Sequence, residues 1–179
     1  MAKIVVGIGG GIAAYKMATV VSRLVQQDHM VQVVLTKGAQ HFVGSSTFHA
    51  LTDQRVVTDT YDPAFPLGPH IELADGLDLL VVAPATARLL GSFANGIADD
   101  LLATLYLNCE CPTLLGPAMS TPMWDHPAVQ RNVNRIREDG ANFVGPETGW
   151  LSCRKVGKGR LSEPESLLEA VDHVLASTS

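Results

Sequence analysis

The chain has 179 residues, of which 46% are hydrophobic and only 17% are charged, and its formal net charge is −5. This length predicts one domain. The composition excludes a disordered chain, which combines low hydrophobicity with high net charge, and a collagen-like chain, which needs a glycine period. The scarcity of charged residues predicts that part of the surface is covered by self-association.

Charge and cysteine usage disfavour several kinds of partner. The basic residues form only a loose group at Arg154, Lys155, Lys158 and Arg160, which makes no electrostatic case for nucleic acid or an anionic membrane. The apolar run at residues 77–82 falls well short of the ~20 residues of a membrane helix, so no span is predicted. Three cysteines without a CxxC spacing predict free thiols in a reducing cytoplasm and no metal site.

Short apolar runs alternate with helical patterns along the chain. The first run, residues 3–8, is followed by glycines, by apolar residues at helical spacing over residues 13–24, and by a second run at residues 31–35. This order predicts a β-α-β unit with parallel strands. Later strands are predicted at residues 77–82, 113–115 and 141–144, with helices near residues 87–93, 99–107 and 127–139. The predicted fold class is α/β: a doubly wound, Rossmann-like or flavodoxin-like parallel sheet flanked by helices.

Two segments are predicted to lack regular structure. Residues 62–69 contain three prolines, and residues 145–159 are rich in glycine and basic residues. Long irregular loops in a compact domain are usually functional or mobile. The last helix is predicted to start with a capping box, in which the Ser162 hydroxyl accepts from the Glu165 amide and the Glu165 side chain accepts from the Ser162 amide.

The turn after the first strand reads G-G-G-I-A-A over residues 9–14 and satisfies the pattern G-x-G-x-x-A. Such glycines let backbone amides approach a phosphate at a helix N-terminus, although a plain strand-to-helix turn is the alternative. A dinucleotide site favours an acidic residue at the end of the second strand, where this chain has Thr36 and Lys37. A mononucleotide therefore fits better than NAD.

Three further places carry chemically useful side chains. His70 could act as a general acid or base or orient a carboxylate, or it could be a surface histidine. Residues 117–124, P-A-M-S-T-P-M-W, follow a buried strand at the edge where open α/β sheets bind ligands; their methionines and tryptophan either line a flat ligand or fill the core. Cys153 lies among four cations that favour its thiolate and suit a proton donor or nucleophile, whereas Cys109 and Cys111 are predicted to be buried packing.

In this order, the motifs resemble those of the flavin-containing cysteine decarboxylases. The opening turn is similar to the family's G-S-I-A-A-Y-K at residues 10–16. The other matches are Thr36 with Phe42, P-H-I-E-L at residues 69–73, A-P-A-T at residues 83–86, N-G-I-A-D-D at residues 95–100, P-x-M-N-x-x-M-W at residues 117–124, and a C-terminal cysteine segment that ends in G-x-G-R-L. Each motif is weak alone, but their joint order is specific and covers nearly the whole chain.

The resemblance implies a single flavoprotein domain over residues 1–179, with a flexible substrate flap near residues 146–160, and FMN as its cofactor. The implied FMN contacts are Gly9, Gly10, Gly11, Ile12 and Thr36 at the phosphate, and Phe42, Thr86, Ala87, Arg88, Leu89 and Ala118 around the ring. The implied catalytic residues are His70 and Cys153, and the implied substrate contacts are Asn95, Met119, Ser120, Trp150, Leu151 and Ser152.

The resemblance also implies the reaction. The flavin takes two electrons from a cysteinyl C–S unit to give a thioaldehyde, with His70 assisting, and loss of CO2 leaves an enethiol. Cys153 then supplies a proton as the reduced flavin returns hydride. The first candidate substrate is the small molecule 4'-phosphopantothenoylcysteine, which would become 4'-phosphopantetheine in coenzyme A synthesis.

Three alternatives to this reaction stay open. One is decarboxylation of a C-terminal peptide cysteine, which Cys153 disfavours because an enzyme that stops at the enethiol needs no reductive proton donor. Another is a protein that binds FMN without turnover. The third is a flavin prenyltransferase, a fold relative that would not call for the His70 and Cys153 segments.

Family members form homotrimers, often assembled further, with FMN and substrate held between subunits, so the same is expected of this chain. A synthetase step is expected to belong to a separate chain. At five positions the sequence departs from the family. Ser120 stands where the family has Asn and loses the amide donor, Gly9 and Gly11 stand where it has serines, Arg88 replaces a small polar residue, and Arg154 replaces a glycine.

Overall fold

A computed structural model describes residues 1–178 of the chain. Its centre is a five-stranded parallel sheet with the strand order β2-β1-β3-β4-β5. The strands are β1 (Lys3–Ile8), β2 (Met30–Leu35), β3 (Leu79–Ala85), β4 (Thr113–Pro117) and β5 (Asn142–Phe143). The helices are α1 (Lys16–Gln26), α2 (Ser45–Thr52), α3 (Pro69–Ala74), α4 (Ala87–Asn95), α5 (Leu101–Asn108), α6 (Thr121–Trp124), α7 (Pro127–Glu138) and α8 (Pro164–Thr178).

The sheet is buried on both faces, as continuous apolar strands require. In β1, Ile4, Val6 and Ile8 pack on the face covered by α1 and α8, while Val5 packs on the opposite face. The same alternation divides β3 between the two halves of the core. The predicted doubly wound α/β fold is therefore confirmed.

The prediction of irregular structure at residues 145–159 is wrong. An antiparallel hairpin, β6 (Glu147–Trp150) and β7 (Val156–Arg160), occupies this segment. Its glycines, which suggested a loop, allow close packing instead, because a Cβ on Gly157 would lie 2.2 Å from the Thr121 hydroxyl oxygen. By contrast, residues 62–68 lack regular structure, as predicted, and Pro69 begins α3.

The predicted capping box of the last helix is also wrong. Helix α8 begins at Pro164, two residues after Ser162, so Ser162 does not occupy the N-cap position. The Glu163 carbonyl accepts the Leu167 amide at 3.1 Å, and the Glu163 carboxylate turns to a lysine on α1. A tertiary ion pair thus takes the place of the local cap.

The strand order places a topological switch point beside β1. From β1 the chain crosses to β2 on one side, and then to β3 on the other, so the connections leave the carboxyl ends of β1 and β3 in opposite directions. Open α/β sheets bind ligands in the crevice that this divergence creates. Within residues 1–178, no helix is both long enough and apolar enough to cross a membrane.

Gly9 and Gly11 provide a matched test of the turn after β1. A Cβ on Gly9 would lie 2.2 Å from the Pro84 carbonyl oxygen, whereas a Cβ on Gly11 would meet no atom within 4 Å. We expect Gly9→Ala to lower the free energy of unfolding by about 1–3 kcal/mol, because the backbone of β3 cannot move away. Gly11→Ala should change it by less than about 0.5 kcal/mol. Urea denaturation of the ligand-free proteins measures both values, and equal losses would contradict this account.

Candidate active site

A cavity of about 500 Å³ lies at the carboxyl ends of β1, β3 and β4. Its walls come from the turn after β1, the start of α4, the segment after β4 and the β6–β7 hairpin. Twelve of the predicted site residues line it: Gly10, Gly11, Ile12, Thr86, Ala87, Ala118, Met119, Ser120, Trp150, Leu151, Ser152 and Cys153. The predicted residues outside its lining are Gly9, Thr36, Phe42, His70, Arg88, Leu89 and Asn95.

The turn after β1 is built for close approach. Gly11 is extended, at φ −167° and ψ 158°, and a short 3-10 helix, Ile12–Tyr15, separates it from α1. The first amides of a helical segment have no partner within that segment and can donate to an anion. Because Gly11 has open space where a Cβ would be, this turn can hold a phosphate.

Thr36 lies beneath that turn rather than in the cavity. Its buried hydroxyl donates to the Ile8 carbonyl at 3.1 Å and accepts the Ala39 amide at 3.2 Å. The only hydroxyl proton is therefore already used. In this structure Thr36 fastens the end of β1 to the loop after β2, and the predicted phosphate contact has no free donor there.

The start of α4 separates the predicted flavin contacts into two groups. Thr86 caps the helix by accepting the Leu89 amide at 3.4 Å, and Thr86 and Ala87 face the cavity. Leu89 is in the core, whereas the Arg88 guanidinium pairs with Asp99 at 2.8 Å and Asp100 at 2.5 Å. Asn95, at the exposed far end of α4, donates to the Gly91 carbonyl at 2.8 Å. The side chain of Arg88 thus joins α4 to α5 instead of facing the cavity.

Ser120 presents an unused hydroxyl to the cavity. It is the N-cap residue of α6, but its side chain makes no capping hydrogen bond, and it has no other side-chain partner within residues 1–178. The Ser120 carbonyl instead accepts the Met123 amide at 3.0 Å. Met119 and Met123 line the cavity, whereas Trp124 is in the core. The sequence allowed these side chains either to line a ligand site or to fill the core. The two methionines line the cavity, and the tryptophan fills the core.

The cysteine hairpin is attached to the segment after β4. The Met119 amide donates to the Gly159 carbonyl at 2.9 Å, and the Thr121 hydroxyl donates to the Lys158 carbonyl at 2.7 Å. These bonds hold β7, while the turn at residues 151–155 projects over the cavity with Cys153 exposed. Cys153 and Ser120 therefore line the same cavity.

His70 lies away from the cavity. It belongs to α3, and its carbonyl accepts the Asn108 side-chain amide at 3.2 Å. Its Nδ1 is buried and has no hydrogen-bond partner within residues 1–178. Phe42, in the loop after β2, is also outside the cavity and 48% exposed. One copy of the chain therefore does not bring His70 to Cys153.

Cys109 and Cys111 follow α5, on the other side of the sheet from α1. Both are half-buried and pack against the core, as predicted. A hydrogen bond from the Cys109 thiol raises its pKa and lowers the pKa of Cys111, whose sulfur accepts it.

Sequence reasoning missed three charged residues beside the cavity. Lys16, only 7% exposed, donates to the Leu161 carbonyl at 3.0 Å and pairs with Glu163 at 3.0 Å, and Arg160 pairs with the other Glu163 oxygen. The hydrogen bond from Lys16 holds the pKa of the Glu163 carboxyl below its usual value of 4.5. In the sequence, only the position of Lys16 near the start of a predicted helix and the cationic group at residues 154–160 pointed to this cluster. The fold brings Lys16, Arg160 and Glu163 together.

The fold and the site define an α/β protein with a cavity suited to an anionic ligand at the switch point of a parallel sheet. The cavity volume is within the range of about 300–1,000 Å³ that small-molecule sites occupy. The sequence profile of a family described as Flavoprotein matches residues 1–176. The chain belongs to the Flavoprotein family.

Similar proteins agree with this membership. The chain is 45% identical over 174 residues to the coenzyme A biosynthesis bifunctional protein CoaBC of Bacillus subtilis, which covers 96% of the chain and 43% of that protein. It is 47% identical over 165 residues to the CoaBC protein of Mycobacterium tuberculosis, which covers 92% of the chain and 39% of that protein. The chain thus spans less than half the length of these curated relatives.

Two solved structures are similar over almost their full length. The FMN-dependent cysteine decarboxylase SpaF superposes with a TM-score of 0.86 at 32% identity, covering 99% of this chain and 97% of that one. A cysteine-to-serine variant of a PPC decarboxylase, complexed with pantothenoylaminoethenethiol, has a TM-score of 0.86 at 26% identity and covers 99% of both chains.

The ion pair between Lys16 and Glu163 predicts a pH dependence of stability. A carboxyl whose pKa is lowered by folding stabilises the native state above its unfolded pKa, and this contribution is lost as the pH falls through the folded pKa. We expect Glu163→Gln to be less stable than the wild type at pH 7 by about 1 kcal/mol, because the pair is partly exposed. The difference should shrink as the pH falls below 4.5 and disappear once Glu163 is protonated. Urea denaturation at pH 7 and pH 3.5 measures it.

Glu169→Gln is the control for this prediction. Glu169 is an exposed carboxylate on α8, the helix that follows Glu163, and has no ion pair within residues 1–178. The control should show no comparable loss at neutral pH. A Glu163→Gln deficit that is the same at both pH values would contradict the assignment.

Proposed function

We propose that this chain binds FMN and decarboxylates 4'-phosphopantothenoylcysteine to 4'-phosphopantetheine, a step of coenzyme A biosynthesis. One observation carries the proposal: a single cavity brings together the phosphate-binding turn, Ser120 and Cys153. The names of the CoaBC relatives and of the PPC decarboxylase structure support the substrate and pathway. Free thiols in the chain, and a thiol product, suit the reducing cytoplasm as the place of the reaction.

The residues around the cavity fit FMN. Gly10, Gly11 and Ile12 would hold its phosphate, since their turn has room for an anion and ends at a helix N-terminus. Thr86, Ala87 and Ala118 are small enough to let a flat ring lie against the sheet edge. When bound, FMN supplies a two-electron acceptor for the cysteinyl C–S unit and returns the electron pair at the end of the reaction.

Ser120 would bind the substrate beside the reacting carbons. Its hydroxyl, free of protein partners, can donate one hydrogen bond to the cysteinyl carboxylate. Oxidation of the C–S unit makes CO2 loss feasible, because the C–C bonding electrons can then move onto sulfur. Holding the carboxylate next to apolar walls such as Met119 and Met123 also keeps water from the enethiol that forms.

Cys153 would supply the last proton. The hairpin turn carries the thiol to the mouth of the cavity, beside Trp150, which is 62% exposed and can cover a bound substrate. A thiol is a far stronger acid than a serine hydroxyl and can donate to the enethiol-derived carbon. This role also favours the small-molecule substrate over a peptide whose product remains an enethiol.

The assembly that we propose is a homotrimer in which His70 reaches the cavity of a neighbouring protomer. His70 Nδ1 is buried without a partner, and His70 is outside the cavity of its own chain. Apolar side chains around the cavity and on α3 are left exposed, among them Ile12, Tyr15 and Ile71. A neighbouring chain could cover them and bring an imidazole to the cysteinyl substrate, where it would hold the thiol and accept its proton.

The experiment that tests the proposal starts with the purified protein and FMN. We expect a flavin absorbance spectrum, release of CO2 from 4'-phosphopantothenoylcysteine, and 4'-phosphopantetheine as the product detected by mass spectrometry. A protein that cannot be reconstituted with FMN would refute the proposal entirely. Bound FMN without CO2 release would favour a binding protein, and turnover only of a peptide with a C-terminal cysteine would favour the peptide alternative.

Cys153→Ser separates the two halves of the reaction. We expect release of one CO2 per bound FMN, because the flavin then stays reduced, while 4'-phosphopantetheine formation falls by at least about 100-fold, since general acid catalysis contributes factors of this size. The enethiol should accumulate and be visible by mass spectrometry, in keeping with the pantothenoylaminoethenethiol complex of the similar cysteine-to-serine variant. Cys111→Ser, the same substitution at a cysteine outside the cavity lining, is the control. Loss of CO2 release in Cys153→Ser would contradict the late role of the thiol.

Mixed assemblies test whether His70 and Cys153 meet between chains. His70→Asn and Cys153→Ser chains, each unable to form 4'-phosphopantetheine alone, are co-expressed with two different tags and purified as mixed oligomers. Product formation should reappear, because some sites then combine an intact His70 with an intact Cys153. Chains that carry both substitutions are the inactive control. Mixed oligomers that form no product would show that the two residues act from one chain.

A further inference from the structure

Two cations share one carboxylate in the wall of the cavity. Lys16 pairs with one oxygen of Glu163 at 3.0 Å, and Arg160 pairs with the other oxygen. Lys16 and Arg160 both line the cavity. The cluster therefore carries one positive charge in excess, next to apolar side chains that strengthen its field.

Lys16 is not free to bind a ligand with its full charge. It is 7% exposed, and its ammonium group already binds the Leu161 carbonyl and the Glu163 carboxylate. Arg160 differs, because only its Nη2 atom has an acceptor within residues 1–178. A guanidinium has five N–H donors, so Arg160 keeps a face for a ligand.

The hairpin holds the Arg160 side chain in place. A Cβ on Gly149 would lie 2.8 Å from Arg160 Cδ and 2.9 Å from its Nη1. The guanidinium thus lies flat against the β6 backbone, at a position where any side chain would displace it. This packing and the Glu163 carboxylate together orient the free donors.

Gly159, the residue before Arg160, packs against Met119 and Ser120. The Gly159 carbonyl accepts the Met119 amide at 2.9 Å, and a Cβ on Gly159 would lie 3.5 Å from the Ser120 carbonyl carbon. Ser120 and Arg160 line the same cavity. A ligand that fills this cavity can therefore contact both side chains.

We propose that Arg160 binds the carboxylate that the substrate loses and supplies the donors that Ser120 cannot provide as a short side chain; this inference rests on the proposed decarboxylase function. Lys16 and Glu163 are positioning residues. Since CO2 is neutral, a strong ion pair with the carboxylate stabilises the substrate more than the transition state. The Glu163 carboxylate weakens that pair, so that the carboxylate binds but can still leave.

A matched pair of ligands tests the proposal directly. S-methyl-4'-phosphopantothenoylcysteine keeps the carboxylate but cannot form a neutral thioaldehyde, and S-methyl-4'-phosphopantetheine lacks the carboxylate. Their dissociation constants are measured by calorimetry on the FMN-loaded protein. Arg160→Gln should weaken binding of the first ligand about tenfold or more, as expected for a hydrogen bond to a charged group, and leave the second within about twofold. Equal weakening of both ligands, or of neither, would overturn the proposal.

Several variants sharpen this test. Arg160→Lys keeps the charge and should lose less affinity than Arg160→Gln, whereas Lys155→Gln removes a charge from the exposed turn of the same hairpin and should change neither ligand. In a Ser120→Asn background the effect of Arg160→Gln should be smaller, because the amide restores a donor. Glu163→Gln should lower both KM and kcat for the substrate, since the released charge binds the carboxylate more tightly. A Glu163→Gln enzyme with raised KM would contradict the role of Glu163.

Failure of this inference can be told apart from failure of the proposed function. A wild-type protein that releases no CO2 from 4'-phosphopantothenoylcysteine refutes the function. A wild-type protein that does release CO2, while Arg160→Gln keeps its preference for the carboxylate ligand, refutes only the role of Arg160. The flavin spectrum of each variant confirms that the cavity is intact.

Discussion

The backbone of Gly9 passes so close to the Pro84 carbonyl that a single added carbon would lie 2.2 Å from it. This contact joins the turn after β1 to the end of β3, the two strands between which the chain reverses its winding. Because both strands are buried on both faces, neither can shift to make room. The cavity lies where the connections from these two strand ends diverge, and its other walls come from α4, the segment after β4 and the β6–β7 hairpin.

The segment after β4 and the β6–β7 hairpin complete the cavity through backbone contacts. Glycines at positions 157 and 159 let the hairpin lie against residues 119–121, and two hydrogen bonds fix it there. The result places a thiol, a free hydroxyl and a guanidinium at one opening. In the reaction that we propose, each of these groups has a separate task.

The charges beside the cavity affect how tightly an anionic substrate would bind. Lys16 and Arg160 attract an anion, while Glu163 limits that attraction by occupying one side of each cation. A fully exposed pair of cations would bind a carboxylate tightly and oppose its departure as neutral CO2. Ser120 can donate one hydrogen bond, so in our proposal more of this recognition falls to the guanidinium.

The sequence by itself determined the parallel α/β fold, because a strand that is buried on both faces is a continuous run of apolar residues. The strand β1, for example, was predicted with its observed bounds. It also predicted the glycine turn and singled out Ser120 and Cys153, which line the cavity. Tertiary structure decided the rest. The Thr36 hydroxyl and the Arg88 guanidinium bind partners on other elements of the fold. Residues 147–160 form a hairpin because Thr121 and Met119 pack against its glycines. Lys16 pairs with Glu163, and Glu163 in turn with Arg160, although more than 140 residues separate Lys16 from both. Polar groups that pair over long distances in the sequence show no periodic pattern, because only the folded chain determines which of them lie within hydrogen-bonding distance.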